Sequence, residues 1–432
     1  LTTENGSTVA SCTAGSSGGG IYSDGGTLTV TSSTIKDCSS TNSSGGGIYI
    51  AGGTVNLTGS ALIDSCTANA ENNGFGGAVD VVNSTLNMTS GTPVIQNCSA
   101  WRGGAIRLYN NSTANLSVGE IKNNSSATSA GAIRVDKNGN SNSATLNISG
   151  TVLIQNNEAA SNGGAIHIAD GTADISGGTI SGNEAANSTG RYFGGAIYLE
   201  KGELSVSGGT IINNSVCTTS SGDAASYNVA CGGAVYVASG TTFNLTGGTI
   251  SGNTATAGGS NALGAGIYLA QGSTMNISGA PSFGGTGVTN ADTGALDNGA
   301  ASGVGNLLTT TINAANGGAS YTKARQDIYI AGYASTTPAD SLVVTGNLTG
   351  DTGSIWVWAE KNPHYLENEQ FATRDNSTYT GLGVFRNAQA DSVTTTSGTR
   401  TDFLRGVTGE EPTYVYWGTD GVDVSFKKVD GF

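Results

Sequence analysis

Nine side chains able to bind or react recur at one place in a repeat: Tyr22, Tyr49, Asp80, Arg107, Arg134, His167, Tyr198, Tyr236 and Tyr268. Each follows an apolar β-branched residue that itself follows two or three small residues, as in GGAVDV at Gly76, GGAIRL at Gly103 and GGAIHI at Gly163. If the repeats stack in register, these side chains form one outward column. Asp80, Arg107, Arg134 and His167 make a stretch of mixed charge, and Tyr198, Tyr236 and Tyr268 an aromatic ladder. Tyrosine rings stack on sugar faces, and Arg and Asp bond their hydroxyls, so an elongated saccharide is one ligand such a column suits. The plainer alternative is that Tyr and Arg are ordinary solvent-facing strand residues. Catalysis asks for more than the column offers. Arg107 or Arg134 as a base beside Asp80 is the one lyase-like combination, with no cluster of carboxylates for calcium beside it. The two histidines, His167 and His364, do not supply a nucleophilic triad. The expectation is a binding surface without a catalytic group, a resident metal or a cofactor.

The elements that position this column are strands. The anchors before it are Ile21, Ile48, Val79, Ile106, Ile133, Ile166, Ile197, Val235 and Ile267, separated by 27 to 38 residues. Helical-hairpin repeats do not tolerate that scatter, whereas stacked strands with extendable corner loops do. Three alternating runs recur in each repeat. The first is the column strand, and the second reads Thr-x-Asn-x-Thr, as in Thr54-Val55-Asn56-Leu57-Thr58. The third is Ile-x-x-Asn or Ile-x-x-Cys. Strict alternation without helical periodicity predicts an all-β, single-stranded, right-handed parallel β-helix, with about 30 residues and three strands per coil.

The third run sets the register. Three residues beyond its apolar anchor stand Cys12, Cys38, Cys66 and Cys98, then Asn124, Asn157, Asn183, Asn214 and Asn253. An inward corner column of this kind suits a ladder of stacked amides, with the small thiol filling the same slot. Metal ligands must converge on a point, whereas these cysteines lie in a line. Cys217 and Cys231 differ, since they bracket Thr218 to Ala230 in the longest repeat. A disulfide between them is expected, which implies an oxidising, extracellular setting.

Composition narrows the partners. The chain of 432 residues carries a net charge of −14, with 17 Lys and Arg against 31 Asp and Glu, so a nucleic-acid partner is not expected. No run of eighteen apolar residues occurs, and no membrane insertion is expected. The absence of a signal peptide suggests a trimmed or excised segment of a longer protein. Regular coils are expected over 1–280, with coils missing before them. Irregular final coils and a cap are expected over 281–425, and the start of a following domain or linker over 426–432.

The glycine-led strand alternating with the Ile-x-x-Asn corner resembles the repeats of chlamydial polymorphic outer membrane proteins, with Ile in place of Phe, as in Ile180-Ser181-Gly182-Asn183. It is also similar to the pectate-lyase-like β-helix regions of large surface proteins in gut Firmicutes. Phe426-Lys427-Lys428-Val429-Asp430-Gly431 resembles the opening strand of a SpaA or Cna-B type pilin domain. The resemblance implies a Gram-positive cell-surface adhesin or stalk, anchored to the wall through a longer chain, with a glycan or matrix protein as partner. The alternative it brings is a polysaccharide lyase or hydrolase, although the polygalacturonase motifs NTD, GHG and RIK are absent.

Overall fold

The computed structural model describes residues 1–284, apart from 4, 140–141, 188–189, 219–228 and 258–260. Beyond them it describes 307–308, 327–331, 341–350, 355–359, 370–374, 385–387, 415–417 and 423–426. Among the described residues every regular element is a strand, and no helix is long and apolar enough to cross a membrane. The chain divides into two compact units, Leu1–Ala186 with Phe193–Ser215, and Asn187–Tyr192 with Val216–Phe432.

The first unit is a right-handed parallel β-helix. Its coils repeat the alternation of the sequence as inside and outside. In Ile48–Thr58, Ile48, Ile50, Val55 and Leu57 are buried while Tyr49, Asn56 and Thr58 are half-buried on the other side. The strand pairs in register with the coil before, Ile21 to Ile48 and Tyr22 to Tyr49, and with the coil after, Ile48 to Val79 and Tyr49 to Asp80. The first two runs of each coil therefore share one sheet, and the third run forms a second, for example Ile63 beside Ile35 and Ile95. A third sheet, unread in the sequence, is made by short strands just past the Cys/Asn column, such as Ser39–Ser40 and Thr67–Ala68. Two residues are too few to show a period.

Two features of the corners explain the glycines. Gly45 has φ +69°, and the equivalent Ala130 accepts the same left-handed place at φ 62°. At Gly46 a Cβ would lie 2.4 Å from the Gly77 carbonyl oxygen of the next coil, so no side chain fits. At the opposite corner the residue before each column member is also left-handed, including Asp37, Ser65, Asn97, Asn123 and Asn156. Short polar residues tolerate that conformation best, which is why the third run is followed by Asn, Ser or Asp.

The column itself is an internal ladder. Asn157 Nδ2 donates to Asn183 Oδ1 at 2.9 Å, to Gln155 O at 3.1 Å and to Ile121 O at 3.1 Å. Its Oδ1 accepts from both nitrogens of Asn124 at 3.0 Å. The cysteines imitate the donor half of this pattern. Cys38 Sγ lies 3.2 Å from Lys36 O and 3.8 Å from Val9 O, and Cys66 repeats it on Asp64 and Ile35. Outside, a second amide ladder runs Asn56, Asn87, Asn115, Asn147, with bonds of 2.8 to 2.9 Å.

The second unit continues the same plan within itself. Ile267–Leu269 pairs with Val235–Val237 and with Ile328–Ile330, and buried Asn253 bonds Ser251 O at 3.0 Å. Ile355–Ala359 stacks on Ile328–Ile330 and Phe385–Asn387 on Ile355–Ala359, all parallel. Pairing turns antiparallel where Gln370–Arg374 and Val415–Trp417 meet Asp423–Phe426. Phe426, read in the sequence as opening a further domain, ends this strand; 427–432 lie outside the described residues. No disulfide joins any of the six cysteines, so the bridge expected between Cys217 and Cys231 is not formed here. Cys217 takes a half-buried place between inward Val216 and Thr218, whereas Cys231 is buried beside the next glycine corner. The loop they bracket, 219–228, lies outside the described residues.

Candidate functional site

The outward column stands in register as a line, but its members are not equally presented. Within the first unit the order is Tyr22, Tyr49, Asp80, Arg107, Arg134, His167 and Tyr198, each paired through the backbone with the next. Tyr22 and Tyr49 stack at 5.2 Å between centroids, and Tyr22 is 59% exposed. In the second unit Tyr236 stacks on Tyr268 at 5.0 Å, and Tyr268 on Tyr329 at 5.2 Å. Tyr329 was not among the expected column members, because its strand has no glycines before it.

Asp80 and Arg107 form a closed clip. Asp80 is fully buried, and Arg107 binds it in bidentate fashion, Nε to Oδ1 and Nη2 to Oδ2, both at 2.7 Å. The guanidinium lies between Phe75 and Tyr109, 4.1 and 4.5 Å from their ring centroids. Burial pushes the Asp80 carboxyl above its ordinary value, while Arg107 pulls it back. This pair is spent on itself, and Asp80 reaches no ligand.

The next two rungs open onto a cavity. Arg134 Nε donates to Asp136 Oδ2 at 2.9 Å, and its Nη1 donates to Ser129 Oγ at 3.1 Å and to His167 Nδ1 at 2.9 Å. A guanidinium has no acceptor, so Nδ1 accepts and the imidazole proton sits on Nε2. That Nε2 donates to Glu200 Oε2 at 2.7 Å. Burial holds the His167 pKa down to about 4; the Glu200 bond opposes this and the Arg134 charge adds to it. The same bond draws the Glu200 carboxyl below its ordinary value. The result is a neutral imidazole between a cation and an ionised carboxylate.

The cavity beside this relay has a volume of about 310 Å³, and its walls include Arg102, Arg134, His167, Tyr198, Glu200 and Asn162. Arg102 has no ion pair among the described residues; burial, then the charge of Arg134, push its guanidinium below its ordinary value. A second cavity of about 360 Å³, beside Trp101, Ser126 and a row of alanines, has no charged wall. Among the described residues no group of three His, Cys, Asp or Glu converges to hold a metal ion.

Two residues of this site escaped the sequence reading. Glu200 stands two residues after Tyr198, hence on the same outward side, in a second column with Asp136 and Tyr109. Period-two alternation was a sufficient signal for it. Arg102 precedes Gly103 at the corner, where φ is +65°, and alternation does not extend through such a turn. No family model matches the chain, and no curated protein and no solved structure matches it either.

Proposed function

We propose that the chain is the β-helical part of an extracellular, cell-surface adhesin or stalk that binds glycans or matrix proteins through its outward first-strand face, without processing them. What carries this reading is the protonation of the groups lining the cavity. Glycoside hydrolysis needs a carboxylic acid held protonated near neutral pH opposite a second carboxylate. Glu200 is instead drawn to the ionised form, and both ring nitrogens of His167 are engaged. Among the described residues, the one carboxyl that burial pushes up, Asp80, lies sealed under Arg107. Binding asks less: a stacked aromatic pair, exposed Tyr22 and half-buried Tyr49, and a polar cavity on the same face.

The sequence resemblance to polymorphic outer membrane protein repeats, and to the start of a pilin domain, supports the surface location and a wall-anchored, longer chain. The alternative, a polysaccharide lyase or hydrolase, remains an outcome of the test. The intact chain is applied to an array of glycans and matrix proteins, beside Tyr22→Ala/Tyr49→Ala and Arg102→Ala. Retention of a defined ligand class, weakened in one of the variants, is expected. No retention together with turnover of a polyuronate would sink the reading. Arg107 and Arg134 are poor probes, since each anchors a buried carboxylate or imidazole whose loss would disturb the coil.

A further inference from the structure

The spare hydrogen-bonding groups of the cavity define a ligand. Arg134 is 8% exposed and spends Nε and both protons of Nη1 within the protein, which leaves Nη2 without an acceptor among the described residues. Arg102 has no hydrogen-bond acceptor for its guanidinium among the described residues; its Cζ lies 5.9 Å from the Phe75 ring centroid. A guanidinium carries five donors, and those of half-buried Arg102 face the cavity. Two arginines with unused donors therefore line one cavity, and Arg134 raises the positive potential at Arg102. On the other side, Glu200 uses only Oε2, leaving Oε1 to accept from a hydroxyl. Between them stand the Tyr198 ring and the polar side chains of Thr128, Ser161 and Asn162.

We propose that this cavity binds the carboxylate of an acidic saccharide, with Arg102 and Arg134 Nη2 holding the carboxylate and Glu200 Oε1 taking a ring hydroxyl. The geometry suits one negative charge attached to a polar, hydroxylated body. A free sulfate would meet Glu200 with no hydroxyl to offer it, a free phosphate would add close to a second negative charge beside the Glu200 carboxylate, and an apolar acid would find few apolar walls. Planar two-point recognition is what guanidinium groups do best with carboxylates. This assignment rests on the glycan-binding reading above and names its chemical class.

The test is a titration of the intact chain, followed by calorimetry or by line broadening of the sugar resonances. The probes are glucuronate, N-acetylneuraminate, an oligogalacturonate, neutral glucose, inorganic sulfate and inorganic phosphate. At least one acidic sugar should bind tenfold or more tightly than glucose and than either inorganic anion. Affinity should fall as salt rises. Arg102→Ala and the milder Arg102→Gln should each lose tenfold or more while circular dichroism stays unchanged. Comparing the two monosaccharide acids with the oligomer separates a chain-end ligand from an internal one. Equal binding of glucose, or full binding by both Arg102 variants, would overturn the site. Neutral glycans held through Tyr22 and Tyr49 with Arg102 irrelevant would leave the surface-binding reading standing and remove this one. No binding of any saccharide would overturn this assignment, and silence towards matrix proteins as well would remove both.

Discussion

Replacing Asn157 by alanine should damage the coil far more than replacing it by cysteine. The Asn157 side chain is 1% exposed and makes five hydrogen bonds, four of them to the two neighbouring coils and one to Gln155 in its own. Alanine removes them all and leaves the buried Asn124 N–H without its acceptor, which alone costs about 1–3 kcal/mol. The Ile121 and Gln155 carbonyls also lose a donor, and a gap of amide size opens. We expect about 3–4 kcal/mol in total. Cysteine is the residue that the first four coils use in this slot, where Cys98 Sγ meets Gln96 O at 3.1 Å. It refills the space and restores a weak donor, so Asn157→Cys should cost about 1–2 kcal/mol. Stacked repeats need not unfold in one step, so urea unfolding should be paired with native-state hydrogen exchange at Asn124 and Asn157. The control is Asn147→Ala on the outer ladder, where one 2.9 Å bond to Asn115 is lost at a half-buried site, and the cost should stay below about 1 kcal/mol. The reasoning fails if alanine and cysteine cost the same at 157, or if Asn157→Ala costs no more than Asn147→Ala.

Two further expectations concern the charged column. His167 is held at about 4 against an ordinary 6.5, so the folded state resists its protonation. The groups facing it are Arg134, Asp136, Tyr198 and Glu200. Its stabilising effect is complete above about pH 6.5 and falls away as pH drops towards 4, by about 3 kcal/mol. Glu200, also held low, adds loss in the same direction below its ordinary range. Chemical-denaturation curves at pH 7 and pH 4 should show this, and His167→Gln should flatten it; an unchanged slope would refute the neutral assignment. At the clip, Arg107→Ala should cost about 3–5 kcal/mol by stranding the buried Asp80 carboxylate, and a joint Asp80→Leu/Arg107→Leu change should recover most of it. A double-mutant cycle by urea unfolding checks both values, and a negligible Arg107→Ala effect would contradict the clip.

Much of the fold was legible because the repeat carries its own phase. The anchors Ile48, Val79 and Ile106 stack as their spacing implied, and the Cys-to-Asn column lies inside. The candidate site was legible only in part. Alternation told which way Asp80, Arg107, Arg134 and His167 point from the strand. It could not tell that Phe75, on the approach to the previous glycine corner, lies against Arg107. Nor could it reach Arg102, whose place depends on a left-handed turn, or rank Tyr22 as exposed and Asp80 as sealed. Local pattern sets the side of a strand; corner geometry and neighbouring coils decide what is left accessible there.

The central claim is that this face holds a glycan and leaves it intact. The direct test is to incubate the intact chain with saccharides it retains and to compare their mass profiles before and after. We predict retention, weakened by Tyr22→Ala/Tyr49→Ala or by Arg102→Ala, with every chain length unchanged. Shortened products, with unsaturated or new reducing ends, would contradict the account and make the protein a polysaccharide-processing enzyme.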